Sequence, residues 1–160
     1  MMTTNLYLAY GSNLNLAQMR YRCPTAKVVG YTYLPDRKLV FRGSSMGSYL
    51  TLDEALGAYP GVPCGVFEIT ERDLMFLDLY EGYPRFYRRG TVPVDHIWDV
   101  RTRQELPLTC GKMAMVYLMR SGHDLGQPAE SYWQTCKQGY TDFGFDLRFL
   151  EQARLDSQPQ

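Results

Sequence analysis

Two stretches of the chain carry residue types whose spacing could do chemistry. The first is Tyr7-Leu8-Ala9-Tyr10-Gly11-Ser12-Asn13, an apolar β-type run that breaks into small polar residues before a helix-forming segment. Backbone N–H groups at a strand-to-helix turn form an anion-binding concavity, and a glycine there lets a ligand approach the main chain. Ser12 and Asn13 would add short-range donors. The same residues also suffice for a helix cap and nothing more. The second stretch is Leu77-Asp78-Leu79-Tyr80-Glu81-Gly82-Tyr83-Pro84. Leu74, Leu77 and Glu81 follow at spacings of three and four, so on a helix Glu81 shares the face that meets the core. A carboxylate in the last turn also faces the negative end of the helix dipole, and both features disfavour its ionised form. The alternative is that Glu81 turns outward and pairs with Arg85 or Arg88.

Other patterns carry less. Gly43-Ser44-Ser45-Met46-Gly47 satisfies G-x-S-x-G, with Ser45 at the nucleophile position. A nucleophile elbow also needs a following helix, a downstream acid and a histidine. Here a glycine-bearing stretch follows, and only His96 and His123 could serve as base, so a serine hydrolase at Ser45 is a distant third reading. Asp142-Phe143-Gly144 spells a kinase motif in a chain with no catalytic-loop signature. Neither G-x-G-x-x-G nor G-x-x-x-x-G-K-[ST] occurs, so dinucleotide and P-loop phosphate binding lack support. Cys23, Cys64, Cys110 and Cys136 are scattered, without the close spacing of zinc ligands. No metal site is expected. Such cysteines read as free thiols in a reducing compartment.

The elements that must position these residues follow from composition and pattern. At 160 residues and 18.5 kDa the chain is expected to form one domain, residues 1–160, around one core. Lys+Arg 17 balances Asp+Glu 17, which argues against a generally basic nucleic-acid binder. Apolar residues at 45% exclude a disordered chain, and the 13 tyrosines suit a partly wet cavity or a β-rich core equally. The longest clearly apolar stretch, 113–119, is far shorter than the ~20 residues of a membrane span. With no secretory signal visible in residues 1–13, the protein reads as cytoplasmic.

Residues 6–10 read as a strand, and Asn13 or Asn15 then caps a helix through Arg22 that Cys23-Pro24 ends. Strands are expected over 27–34 and 38–42, turned at Pro35-Asp36, and the glycine-bearing region 43–63 reads mostly as loop. A strand over 64–69 leads to Thr70, which caps a helix with Glu71 and Asp73 in its first turn and Gly82 as its stop. Strands 87–94 and 112–118 follow. Pro128 opens a helix to about Lys137, with Gly139 after it, and Asp146 caps a last helix, 147–154, before a frayed tail, 157–160. This order lacks the strand–helix alternation of a doubly wound sheet. It predicts an α+β fold with a mixed or antiparallel sheet, curled into a small barrel with flanking helices.

Tyr-Leu-Ala-Tyr-Gly-Ser-Asn-Leu near the start and Leu-Asp-x-x-Glu-Gly in mid-chain together resemble the gamma-glutamylcyclotransferase family. The resemblance runs in the same order from Leu6 to about Leu150, through Pro24, the Tyr117-Leu118-Met119 strand end and Tyr132. It implies a small β-barrel with helices, no metal or organic cofactor, and a small γ-glutamyl substrate, with neither nucleic acid nor membrane as partner. Residue by residue, it implies a substrate-binding loop at Tyr7, Leu8, Ala9, Tyr10, Gly11, Ser12 and Asn13, an acid/base at Glu81, and Tyr132 closing the pocket. The implied reaction is cyclisation of a γ-glutamyl group to 5-oxoproline with release of the attached amino acid or amine. Leucine stands at the Asn13 position in the glutathione-specific branch, so glutathione is disfavoured. Glu-Gly-Tyr-Pro followed by Tyr87-Arg88-Arg89 resembles the branch acting on γ-glutamylamines and aminoglycoside-biosynthetic relatives. A non-catalytic ligand-binding member of the same fold is the alternative function.

Overall fold

The computed structural model describes residues 4–44, 47–108 and 111–159. Among these, the chain runs β1 (Thr4–Ala9), a 3-10 turn (Ser12–Leu14), α1 (Leu16–Arg22), β2 (Lys27–Leu34), β3 (Arg37–Ser44), β4 (Gly47–Glu54) and β5 (Val62–Thr70). It continues through α2 (Glu71–Glu81), β6 (Tyr87–Val94), β7 (Ile97–Trp98), β8 (Glu105–Leu106), β9 (Lys112–Met119), β10 (Asp124–Leu125), α3 (Glu130–Phe143) and α4 (Arg148–Asp156). A mixed sheet has the order β6-β9-β1-β5-β2-β7-β8, and a smaller one has the order β10-β3-β4. β1 is the pivot of the larger sheet, antiparallel to β5 and parallel to β9. No helix among the described residues is long and apolar enough to cross a membrane.

The α+β architecture matches expectation, but the sheet does not close into a barrel. Its outermost strands, β6 and β8, lie at opposite edges. Pro93 within β6 has no N–H to donate to a further strand, and β7 and β8 are only two residues each. Region 43–63 is also more ordered than a loop. β4 pairs with β3 in unbroken register from Arg37↔Glu54 to Ser44↔Gly47, with Ser48, Leu50 and Thr51 buried. The strands on either side of Pro35-Asp36, β2 and β3, part into different sheets.

β4 is an edge strand whose outer groups meet the Gln127 carbonyl at the Ser48 N–H and side chains at Leu50, not another strand. The Leu50 N–H donates to the Tyr132 hydroxyl at 3.1 Å, and the Tyr87 hydroxyl donates to the Leu50 carbonyl at 2.7 Å. The Met119 N–H donates to the Thr51 hydroxyl at 3.0 Å. These bonds fasten the small sheet to β6 and β9 of the large one and to α3, and the cavity described below is lined by Leu50, Tyr87 and Tyr132.

α3 runs six residues beyond the expected Lys137 end, straight through Gly139. That glycine is a point of contact rather than a stop: a Cβ there would lie 2.5 Å from the Asn15 backbone nitrogen. α3 is thereby pressed against the 3-10 turn and the start of α1. Its Asp142 carboxylate accepts the Leu16 N–H, its Thr135 carbonyl accepts the Asn15 amide, and its Tyr140 hydroxyl donates to the Tyr10 carbonyl. The expected fraying of the tail is likewise corrected at Ser157, which is fully buried and accepts the Phe41 N–H at 2.7 Å while donating to the Ala153 carbonyl. α4 starts one residue later than expected, although the Asp146 carboxylate does accept the Arg148 N–H.

Candidate active site

The turn after β1 and the end of α2 meet at one cavity of about 460 Å³. α2 is held at both ends by local chemistry. The Thr70 hydroxyl accepts the Asp73 N–H and the Asp73 carboxylate accepts the Thr70 N–H, a capping box, and Thr25 donates a further bond to Asp73 at 2.7 Å. At the other end Gly82 adopts a left-handed conformation, with φ 65°, and stops the helix one residue past Glu81.

Asparagines 13 and 15 divide their work. Asn15 caps α1 by accepting the Gln18 N–H, and this leaves Asn13 free to face the cavity. The Asn13 oxygen accepts from Gln18 Nε2 at 3.2 Å and from an Arg22 guanidinium nitrogen at 3.1 Å. A guanidinium can only donate, so the amide orientation is fixed and its NH₂ group must point the other way. That group donates to the Tyr7 hydroxyl at 2.9 Å and to Glu81 Oε1 at 3.1 Å.

Glu81 therefore takes the inward course, not the outward pairing with Arg85 or Arg88. Among the described residues its carboxyl is the one acid lining the cavity, and Arg22 is the one cation. Burial raises its pKa to about 7, against the lowering effects of the Arg22 charge and the Asn13 hydrogen bond. Burial, with the Glu81 charge second, holds the Tyr7 phenol far above its ordinary range, so it stays a neutral hydroxyl. A carboxyl that titrates near neutrality can take a proton and return it within one cycle.

Tyr7, Leu8, Tyr10, Gly11, Ser12, Asn13, Glu81 and Tyr132 all line this cavity. Ala9 does not; it is buried in the core. The 3-10 turn bonds first from the Leu14 N–H to the Gly11 carbonyl, so the N–H groups of Ser12 and Asn13 precede its ladder. Sequence reasoning missed Arg22, Gln18, Tyr49, Tyr87 and Tyr117 as lining residues. The spacing of Gln18 and Arg22, four apart on α1, was the available signal. Ser45 lies outside the described residues, as does Cys110. Cys23, Cys64 and Cys136 are buried free thiols. His96 pairs with Glu105 at the surface, and His123 packs on Phe86.

A family profile for gamma-glutamyl cyclotransferase, AIG2-like proteins matches residues 7–135. The chain belongs to this family. Comparison with curated proteins returns no match. Among solved structures, a gamma-glutamyl cyclotransferase superposes with a TM-score of 0.74 at 23% identity, covering 99% of this chain and 90% of that one. The human protein loc79017 gives 0.72 at 24% identity, covering 98% and 89%. YkqA from Bacillus subtilis gives 0.71 at 20% identity, and there 99% of this chain covers 56% of the other. These likenesses show a shared fold.

Proposed function

We propose that the protein is a γ-glutamyl cyclotransferase that converts a γ-glutamyl amine or amino acid to 5-oxoproline. The observation that carries this reading is the Glu81 carboxyl, titrating at about 7 inside the cavity and hydrogen-bonded to Asn13 of the turn. Family membership supports it. The nucleophile belongs to the substrate: its α-nitrogen attacks its own γ-carbonyl carbon, a C–N bond closes the five-membered ring, and the C–N bond to the leaving group breaks. The two groups are already tethered, so holding them in one geometry supplies much of the acceleration.

What remains is proton traffic. Of the three protons of the α-ammonium, one stays on the ring nitrogen and two depart on the leaving nitrogen. Glu81 takes protons from the attacking nitrogen and passes them to the departing one, ending in the state in which it began. The N–H groups around Gly11 and Ser12 hold the substrate carboxylate and the oxyanion that forms on the γ-carbonyl oxygen. Tyr132 closes the cavity over the bound substrate.

The test is release of 5-oxoproline by purified protein from a panel of γ-glutamyl amino acids and amides, alongside Glu81→Gln. Glutamine keeps the size but accepts no proton, so kcat falls by about 10²–10⁴-fold or more while KM changes little. A variant with wild-type kcat would remove Glu81 from the mechanism. An inert wild type that still binds γ-glutamyl compounds would favour the ligand-binding alternative.

A further inference from the structure

A second, smaller concavity of about 240 Å³ adjoins the Glu81 cavity, with Tyr49, Tyr132 and Thr135 lining both. Its far lips are Gly47, at the start of β4, and Ala129 and Ser131, at the start of α3. Among the described residues none that lines it is charged. The Thr135 hydroxyl is spent on the Ser131 carbonyl, and the nearest acid in sequence, Glu130, lies outside the lining and is bonded by Gln134. The border the two spaces share is aromatic: Tyr49 meets Tyr132 edge-on with ring centroids 5.0 Å apart, and Phe86 packs on Tyr49.

We infer that this groove is the leaving-group subsite, and that it takes an uncharged apolar or aromatic amine attached to the γ-glutamyl group. The inference rests on the cyclotransferase reading for the identity of the glutamyl end. It adds where the rest of the substrate lies and what chemistry that part has. The ends of the cavity differ in polarity. Both ionic groups, Arg22 and Glu81, meet at Asn13, whereas the groove opens on the side of Tyr49 and Tyr132 and offers no countercharge. A charged group moved there would lose hydration without gaining a partner, and an apolar one would gain by leaving water. A cleft lined by Arg88, Arg120, His123 and the ion pair Arg42–Asp53 stands on the other side of Phe86, but among the described residues it has no lining residue in common with the Glu81 cavity. An anionic leaving group would belong there instead.

The groove is also narrow. A Cβ on Gly47 would lie 3.5 Å from the Ala129 Cβ, so a large side chain at position 129 fills the space between the lips. Ala129 itself is exposed, which makes the change tolerable to the fold.

The experiment compares γ-glutamylmethylamide, too short to reach the groove, with γ-glutamylbenzylamide and with its para-carboxylate and para-aminomethyl analogues. The wild type should turn over the benzylamide with a kcat/KM about tenfold or more above either charged analogue. Ala129→Phe should lower kcat/KM for the benzylamide by about tenfold, chiefly through KM, and keep the methylamide within about twofold. Ser131→Phe, at the other lip, should do the same. Preference for a charged analogue, or equal effects of Ala129→Phe on both neutral substrates, would overturn the subsite. If no substrate is turned over, the cyclotransferase reading fails on its own. The groove is then read by calorimetric binding of γ-glutamylbenzylamide to wild type and Ala129→Phe: weaker binding to the variant upholds it, and equal binding overturns it.

Discussion

Asn13 is the residue on which the candidate site turns. Its oxygen is held by Gln18 and Arg22, and its amide protons are shared between Tyr7 and Glu81. The chain of contacts makes Glu81 sensitive to a charge it does not touch. Burial raises its pKa to about 7, while Arg22 and Asn13 both favour the ionised form. A base must be ionised to take a proton, so activity should rise as pH passes through about 7, well above the usual carboxylate range. Arg22→Gln removes a favourable charge, Glu81 then holds its proton more tightly, and the acidic limb of kcat/KM moves to higher pH. A pH–rate profile of 5-oxoproline release checks both points. A limb in the ordinary carboxylate range, or one that Arg22→Gln leaves in place, would show that Glu81 does not govern the rate.

At the scale of elements, what was legible in the sequence was local. Thr70, Asp73 and Gly82 mark the ends of α2 by chemistry that reaches no further than three or four residues, whereas spacing from Leu77 allowed Glu81 to face inward without excluding an outward pairing with Arg85 or Arg88. The choice between Asn13 and Asn15 as cap could not be read, because both fit and the answer depends on what Glu81 and Arg22 do. Tyr49, Tyr87 and Tyr117 left no local signal either; strands distant in the chain bring them together. Gly139 is the sharpest case, since a glycine near a helix end reads as a stop until the backbone against it is known. Ala at this position would favour the helix by about 1 kcal/mol on propensity alone. Its Cβ would meet the Asn15 nitrogen at 2.5 Å, so Gly139→Ala should instead lower the melting temperature and impair turnover by shifting the turn before α1. A stability gain in thermal denaturation would show that α3 and the turn separate freely.

Across the whole molecule, side-chain hydroxyls do much of the joining. Ser157, expected in a loose tail, satisfies the Phe41 N–H of β3 from beyond α4. Ser157→Ala should leave that buried amide unpaired and cost about 1–3 kcal/mol, seen as a lower urea midpoint with an unchanged slope. An unmoved midpoint would mean the tail contributes nothing. The barrel was overestimated for a related reason: the order of elements tells which strands exist, not whether a proline or a two-residue strand interrupts closure. An open strand edge invites a strand from another molecule, with its row of free amides and carbonyls as the template. Here Tyr87 and Tyr132 occupy the Leu50 positions of that row, so the residues that wall the cavity also deny the edge to a neighbour. Resistance to self-templated aggregation and the shape of the substrate space are thus written into the same two phenols.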